Sequence, residues 1–168
     1  ATEVASQPAH TVLADEVDKM KPVPGVGDPL TEAQARNSNY PDGLFVATSS
    51  PSEGNVDASK HPETGVEHWA VADGDELSST VWQLWQEGTR YEWAVPCPHC
   101  AEFFVPRFRL LTWPEKSTPR RAEREARLAC GQCGALIGNE HKESMNSRGT
   151  FLAPGQRVEG FSLTQKGP

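Results

Sequence analysis

The chain has 168 residues, a formal net charge of −7 and an apolar share of only 36%, with 14 glycines and 14 prolines. That length admits one ordinary domain or two small ones, and the low apolar share implies one modest core, a compact satellite and loose connections. No run approaches the roughly 18 consecutive apolar residues of a membrane span, and Ala1 to Gln7 carries a Glu and lacks the apolar centre of a secretory signal.

The chain opens without Met and closes on Gln165-Lys166-Gly167-Pro168 with no helix stop, so it reads as a piece of a longer protein. Its charge is uneven. Ala94 to Gly149 holds nine Lys/Arg against six Asp/Glu, a net +3, and the remainder holds seven against seventeen, a net −10. The middle is weakly basic, short of a strong nucleic-acid footprint.

Thr11-Val12-Leu13-Ala14 is a β-prone apolar run that stops in Asp15-Glu16-Val17-Asp18, the pattern of a short buried strand delivering acids at its C-terminal end. Three prolines and two glycines break Lys21 to Pro29 into loop. Thr31 with Gln34 three residues on matches a capping box, predicting a helix from Glu32 to Asn37. Leu44 to Thr48 is a second strand, entering the hydroxyl-rich Ser49-Ser50-Pro51-Ser52.

Glu53 to Asp73 is polar, acidic and reads as a mobile loop or linker. Leu77, Val81, Leu84 and Trp85 share one helix face, with Gly88 placed as a C-cap and Trp82 and Trp85 three apart. Tyr91 to Val95 and Phe103 to Val105 read as strands. Thr118 to Glu125 is a charged excursion before Ala126 to Ala129.

Cys97-Pro98-His99-Cys100 and Cys130-Gly131-Gln132-Cys133 carry all four cysteines as two C-x-x-C pairs, 29 residues apart. Each pair can close a tight turn that aims two thiolates at one point, and two such turns complete a tetrahedron around Zn²⁺. Gly134 suits the turn after the second pair, whereas Ala101 departs from it. Two disulfides would need an oxidising compartment, for which the sequence gives no sign. A redox motif would need one pair in a βαβ context. His99 reads as pointing away from a site already filled by Cys97, Cys100, Cys130 and Cys133. Such a site has no open position and is structural. Function then falls to the surface, where Arg107, Arg109, Arg120, Arg121, Arg124 and Arg127 are candidates for DNA phosphate contacts, and Glu115, Glu123 and Glu125 among them favour a plain solvated face.

An apolar strand followed by Asp-Glu is what a Walker B site needs: Asp15 to hold Mg²⁺ through water, Glu16 to orient the attacking water in phosphoryl transfer. A strand ending in a solvated loop gives the same pattern by chance. The second strand adds weight, because in P-loop ATPases the strand beside Walker B often ends in a polar residue that senses the γ-phosphate. The 33 residues from Asp15 to Thr48 allow a helix and a parallel return.

Taken in order, several segments resemble the large terminase subunit of lambda-like tailed phages, the GpA-type packaging motor. These are Val12 to Asp18, Gly27-Asp28-Pro29-Leu30, Thr48 to Ser52, Val81 to Glu87 with Arg90, Val95 to Cys100, Cys130 to Ile137, His141-Lys142, Met145 to Gly149 and Gly160-Phe161-Ser162-Leu163. The resemblance covers most of the chain apart from Glu53 to Asp73.

The resemblance implies a parent ATPase that drives double-stranded DNA into a procapsid and a nuclease that cuts concatemers. Its cofactors are Mg²⁺ and ATP, and its partners DNA, the small terminase subunit and the portal, with no membrane, in the host cytoplasm. Asp15 and Glu16 become the catalytic acids. Thr48, Ser49 and Ser50 fall in the coupling motif, where the family more often shows Ser-Thr-Pro. No G-x-x-x-x-G-K-[ST] occurs in these residues and the nuclease carboxylates are not identifiable, so the chain alone is expected to be inactive.

The expected fold is α/β. A partial P-loop NTPase core of the ASCE/RecA-like kind occupies 1–54, an acidic linker and helix 55–93, a β-rich zinc ribbon with four cysteine ligands 94–149, and a lead into the nuclease domain 150–168. The competing reading is a non-enzymatic zinc-ribbon adaptor for nucleic acid or protein, in which Asp15-Glu16 is only a strand end.

Overall fold

The computed structural model describes residues 7–22, 24–25, 27–52, 57–73 and 78–159. Helices and small sheets alternate along them, a mixed α/β chain. They form two compact units, one drawn from positions 1–55 and 71–88, the other from 56–70 and 89–168.

The first unit is built on two parallel strands, β1 (Thr11–Asp15) and β2 (Leu44–Thr48), in a register that sets Asp15 opposite Thr48. The return between them carries helix α1 (Pro29–Ala35), which packs on β1. This helix starts earlier than the sequence predicts. Asp28 is its N-cap, accepting from Thr31 N at 2.9 Å and Thr31 Oγ1 at 2.7 Å, and the expected cap Thr31 sits inside the first turn. Pro29 explains the difference: at the first helical position its fixed φ suits the helix and its missing N–H costs nothing. Leu13 is 68% exposed and Leu44 54%, an unusual state for parallel strands, which are normally covered on both faces.

Helix α2 (Thr80–Glu87) completes this unit, capped by Ser79 and ended at Gly88. Leu77, expected on its apolar face, lies outside the described residues. Trp82 and Trp85 are both half-buried, their rings 5.0 Å apart. Gln86 accepts from Ala72 N at 2.9 Å and donates to Ala72 O at 2.8 Å, pinning the preceding segment to the helix.

The second unit begins with a hairpin, β3 (Ala58–Lys60) and β4 (Glu67–Trp69), where the sequence reads as linker. Composition hides it because only Val66 and His68 turn inward, and Gly65 supplies the left-handed turn residue at φ 67°. Its Lys60 Nζ donates to Gly131 O at 3.0 Å.

Strands β5 (Glu92–Pro96) and β6 (Phe103–Phe104) pair with β10 (Thr150–Leu152) in an antiparallel sheet ordered β10-β5-β6. Successive strand residues face opposite ways, and this sheet separates two cores. Val95 and Phe104 join Cys97, Cys130, Ile137 and Met145 on one side, while Ala94 and Phe103 join Val66, Val105 and Leu152 on the other.

A second sheet, β7 (Leu111–Thr112), β8 (Arg127–Ala129) and β9 (Leu136–Ile137), carries the other cysteine pair. Between β7 and β8 the expected charged excursion is helix α3 (Pro119–Glu125), again opened by Pro at the first position, and α4 (Lys142–Asn146) follows β9. No described helix is long and apolar enough to cross a membrane.

Behind the second core lies a buried ion pair. Arg107 Nη2 meets Glu92 Oε2 at 2.5 Å, His68 Nδ1 is 3.4 Å from Glu92 Oε1, and the Arg107 guanidinium stacks 3.9 Å over the Trp69 ring. Burial opposes the Glu92 charge, but hydrogen bonds from His68 and Trp69 N–H with the Arg107 charge outweigh it and hold the carboxyl below its ordinary pKa. Removing one partner would strand the other charge. Glu92→Ala is therefore expected to destabilise the second unit by about 3–5 kcal/mol, measured by urea unfolding; a loss below about 1 kcal/mol, the size of an exposed pair, would refute this.

Candidate functional site

Two places gather chemistry-bearing side chains. The first is the four thiols. Cys97 follows β5 and Cys130 follows β8, and in each case the chain reverses through the same turn. Ala101 N donates to Cys97 O at 3.0 Å and Gly134 N to Cys130 O at 2.9 Å; Cys97 N donates to Glu102 O and Cys130 N to Ala135 O, both at 2.9 Å. The last turn residue is left-handed in both, Ala101 at φ 66° and Gly134 at φ 74°. The two loops are thus conformationally equivalent although only one carries the glycine, and Ala101 bears the steric cost of that conformation.

The four sulfurs lie within 4.8 Å of one another. Cys97 Sγ is 3.9 Å from Cys133 Sγ and Cys100 Sγ 4.0 Å from Cys130 Sγ, well beyond a disulfide bond of about 2.05 Å, and all four cysteines are free. A tetrahedral Zn²⁺ with Zn–S bonds near 2.3 Å needs sulfurs about 3.8 Å apart, so the donor set and its spacing fit that metal. Backbone amides support the sulfurs: His99 N donates to Cys97 Sγ at 3.4 Å and Gln132 N to Cys130 Sγ at 3.3 Å. Burial pushes the Cys130 thiol up to about 12 and raises Cys100 as well, while the Ala135 N–H lowers exposed Cys133. The His99 ring sits beside the His141 ring, 6.2 Å centroid to centroid.

The second place is the end of β1. Thr48 Oγ1 donates to Asp15 Oδ1 at 2.5 Å and Glu16 N donates to the same oxygen at 3.0 Å. No described group bonds Asp15 Oδ2, and the residue is exposed. One carboxylate oxygen is thus fixed and the other is free for a hydrated cation. Glu16 takes a left-handed backbone, φ 57° and ψ 40°, which turns the chain off the strand. Its carboxylate is held by Lys19 Nζ at 2.5 Å, and this hydrogen bond raises the Lys19 pKa.

Sequence reasoning missed Asp18. Its Oδ1 accepts from Val81 N at 2.8 Å, at the start of α2, and its Oδ2 accepts from Ser52 N at 2.8 Å and Ser52 Oγ at 3.1 Å. Its own N–H donates to Ser49 Oγ at 3.2 Å. Nothing local marks Asp18 beyond the acid itself: it follows buried Val17 in a 3-10 turn, and its partners Ser52 and Val81 are distant in the chain. Ser50 contributes its carbonyl, which accepts from Ser49 Oγ at 3.2 Å.

The six arginines differ in what holds them. Arg107 is buried on Glu92, so a phosphate would have to displace that carboxylate. Arg109 pairs with Glu67. Arg121 pairs with Glu125 at 3.0 Å, and Arg127 Nη1 donates to Ala126 O at 2.9 Å, at the end of α3. Arg120 and Arg124 have no ion pair among the described residues and lie one helical turn apart. Gly160 to Leu163 lies outside the described residues.

The model of the family "Phage terminase large subunit gpA, ATPase domain" matches residues 1–151. The chain belongs to this family. No curated protein matches it, and no solved structure does. The matched residues include the β1 end and all four cysteines, so both places lie within the family's domain.

Burial opposes the charge of Asp18, but hydrogen bonds from Ser79, Val81 N–H and Ser52 outweigh it and hold its pKa below the ordinary carboxylate value. Its stabilisation is therefore full above that ordinary pKa and is lost as pH falls through the lower folded-state pKa. Asp18→Asn is expected to cost the first unit about 1–3 kcal/mol at neutral pH, and the difference from wild type should shrink in acid. Urea unfolding followed by tryptophan fluorescence at both pH values measures this; equal stability at neutral pH would contradict it.

Proposed function

We propose that this chain is the middle of a DNA-packaging motor, with the C-terminal part of a P-loop ATPase core at 1–54, a linker and helix at 55–93, a zinc ribbon at 94–149 and a lead into a nuclease domain at 150–168. The observation that carries the reading is the parallel β1–β2 pair, which sets Asp15 against Thr48 with a 2.5 Å hydrogen bond between them. A Walker B acid beside a hydroxyl-bearing neighbouring strand has this arrangement. The exposed Leu13 and Leu44 support a wider sheet, since further parallel strands would cover them.

In this reading Asp15 would hold Mg²⁺, while Thr48 keeps its Oδ1 oriented. Bound Mg²⁺ and ATP supply the phosphoryl-transfer chemistry. Glu16 would orient the attacking water, for which its carboxylate would have to leave Lys19. Ser49 and Ser50, beside Thr48, couple the site to the rest of the unit. The parent protein acts on double-stranded DNA with the small terminase subunit and the portal, in the host cytoplasm, and cuts concatemers with a nuclease beyond these residues. Cys97, Cys100, Cys130 and Cys133 hold one structural Zn²⁺, with no open position for chemistry. Arg120 and Arg124 are the arginines best placed to reach DNA phosphates, with Arg109 and Arg121 available if their glutamates release them and Arg107 the least accessible.

In a protein that also carries the phosphate-binding loop, Glu16→Gln is expected to lower ATPase turnover at least about a hundredfold, the scale of a lost general-base function, and to leave nucleotide binding intact. Unchanged turnover would leave the adaptor reading standing. For the metal, one zinc per chain is expected by metal analysis. Cys130→Ser should lose it and unfold residues 94–149; full zinc content in that variant would disprove the site.

A further inference from the structure

Phe108 is 79% exposed and Trp113 48%. Their rings lie 6.3 Å apart at 55°, and the two residues flank β7 in the sequence. These are not loose side chains. Phe108 opens a 3-10 turn, Phe108–Leu110, whose Leu110 packs on the thiol core and whose preceding residue, Arg107, is anchored by Glu92 and Trp69. The turn is fixed from behind on both flanks, so Phe108 is presented outward rather than left over. It borders a groove of about 630 Å³ whose lining includes Leu111, Leu128, Glu123 of α3 and Ala126 just after that helix.

The charge of this region is opposite to that of the chain. Residues 106–127 hold seven basic side chains and three acidic ones, a net +4 in a chain of net −7. Arg120 and Arg124, the two without an ion pair among the described residues, are an i, i+4 pair on α3 and share a face. Phe108 and Glu123 of α3 border the same groove, and Arg120 and Arg124 are on that helix. Exposed aromatic rings and arginines without an ion pair are the elements of single-strand binding, since each base offers a π-face to stack and cations follow the backbone. A duplex offers phosphates to the arginines but keeps its bases away from the rings.

We propose that Phe108, Trp113 and helix α3 form a binding surface for single-stranded DNA, with unpaired bases stacked on the two rings and phosphates held by Arg120 and Arg124. This deepens the reading of the ribbon as a DNA-contacting module and rests on it.

The test uses the full chain loaded with zinc and three labelled probes of equal length: an oligothymidine, an abasic strand and a blunt duplex, each followed by fluorescence anisotropy. The oligothymidine is expected to bind about tenfold or more tighter than the abasic strand. Phe108→Ala and Trp113→Ala should each remove about tenfold from oligothymidine binding alone, with zinc content and circular dichroism unchanged. Arg120→Ala with Arg124→Ala should weaken all three probes and lower the salt dependence by about two phosphate contacts.

Equal binding of oligothymidine and abasic strand, or no effect of Phe108→Ala, overturns the stacking surface. If the arginine variant still weakens the duplex, the ribbon's DNA contact survives that result. Absence of binding to every probe overturns both, and saturable binding of an apolar peptide in the groove instead would assign it to a protein partner.

Discussion

The second unit depends on the convergence of four sulfurs. Its strands are two to five residues long, too short for any pair to be stable alone in water. What joins them is the meeting of Cys97 and Cys100 with Cys130 and Cys133, whose two turns repeat the same backbone hydrogen bonds. Each turn hangs on a different sheet, so the thiol cluster is where the two sheets meet. Cys97 and Cys130 also sit inside an apolar core with Val95, Phe104, Ile137 and Met145. A metal there would act as the centre of the core and close a loop of about thirty residues whose ordering the apolar side chains alone would struggle to offset. The raised pKa of Cys130 belongs to the same arrangement: burial that keeps a bare thiol protonated is offset when a cation binds the thiolate.

The second core has a different anchor. Glu92, His68 and Arg107 are all buried, and they converge from β5, β4 and the segment after β6. Glu92 Oε1 also accepts from Trp69 N at 2.8 Å, and Arg107 Nη2 donates to Glu67 O at 3.2 Å, so the pair ties the hairpin to the central sheet through backbone as well as side chains. Gln132, between the last two cysteines, donates to Thr64 O at 3.3 Å and Phe103 O at 3.1 Å. The hairpin is thus held at both ends, by a buried charge pair and by a cysteine turn. This is why residues that read as linker behave as part of the second unit.

What the sequence revealed follows from what is local. Strand β1 with its acids, strand β2 with its hydroxyls and the two C-x-x-C turns depend on neighbours in the chain, and their residues read correctly in isolation. The α1 start is written in Asp28-Pro29, but Thr31 with Gln34 offers a competing capping pattern three residues downstream. The hairpin and the fate of Arg107 were not legible, because both depend on Glu92, which carries no motif and meets His68 and Arg107 from positions 24 before and 15 after it. An arginine in a basic stretch looks solvated until its buried partner is found. Asp18 was hidden for a similar reason: its partners Ser52 and Val81 lie 34 and 63 residues away.

That last network bears on how a nucleotide site at β1 would act at a distance. Thr48 touches Asp15, and the next residue, Ser49, accepts from the Asp18 N–H; Asp18 in turn holds Ser52 and the first turn of α2. The carboxylate at that helix start is also favoured by the helix dipole, so α2 and the hydroxyl loop share one anion. A change at Asp15 that shifts Thr48 would move Ser49 and, through Asp18, the start of α2, because the loop cannot shift without loosening bonds to the same carboxylate. The coupling runs through bonds of ordinary length among exposed and half-buried groups, each contributing about 1 kcal/mol. Such a link is strong enough to bias the position of α2 and weak enough to be broken and remade reversibly.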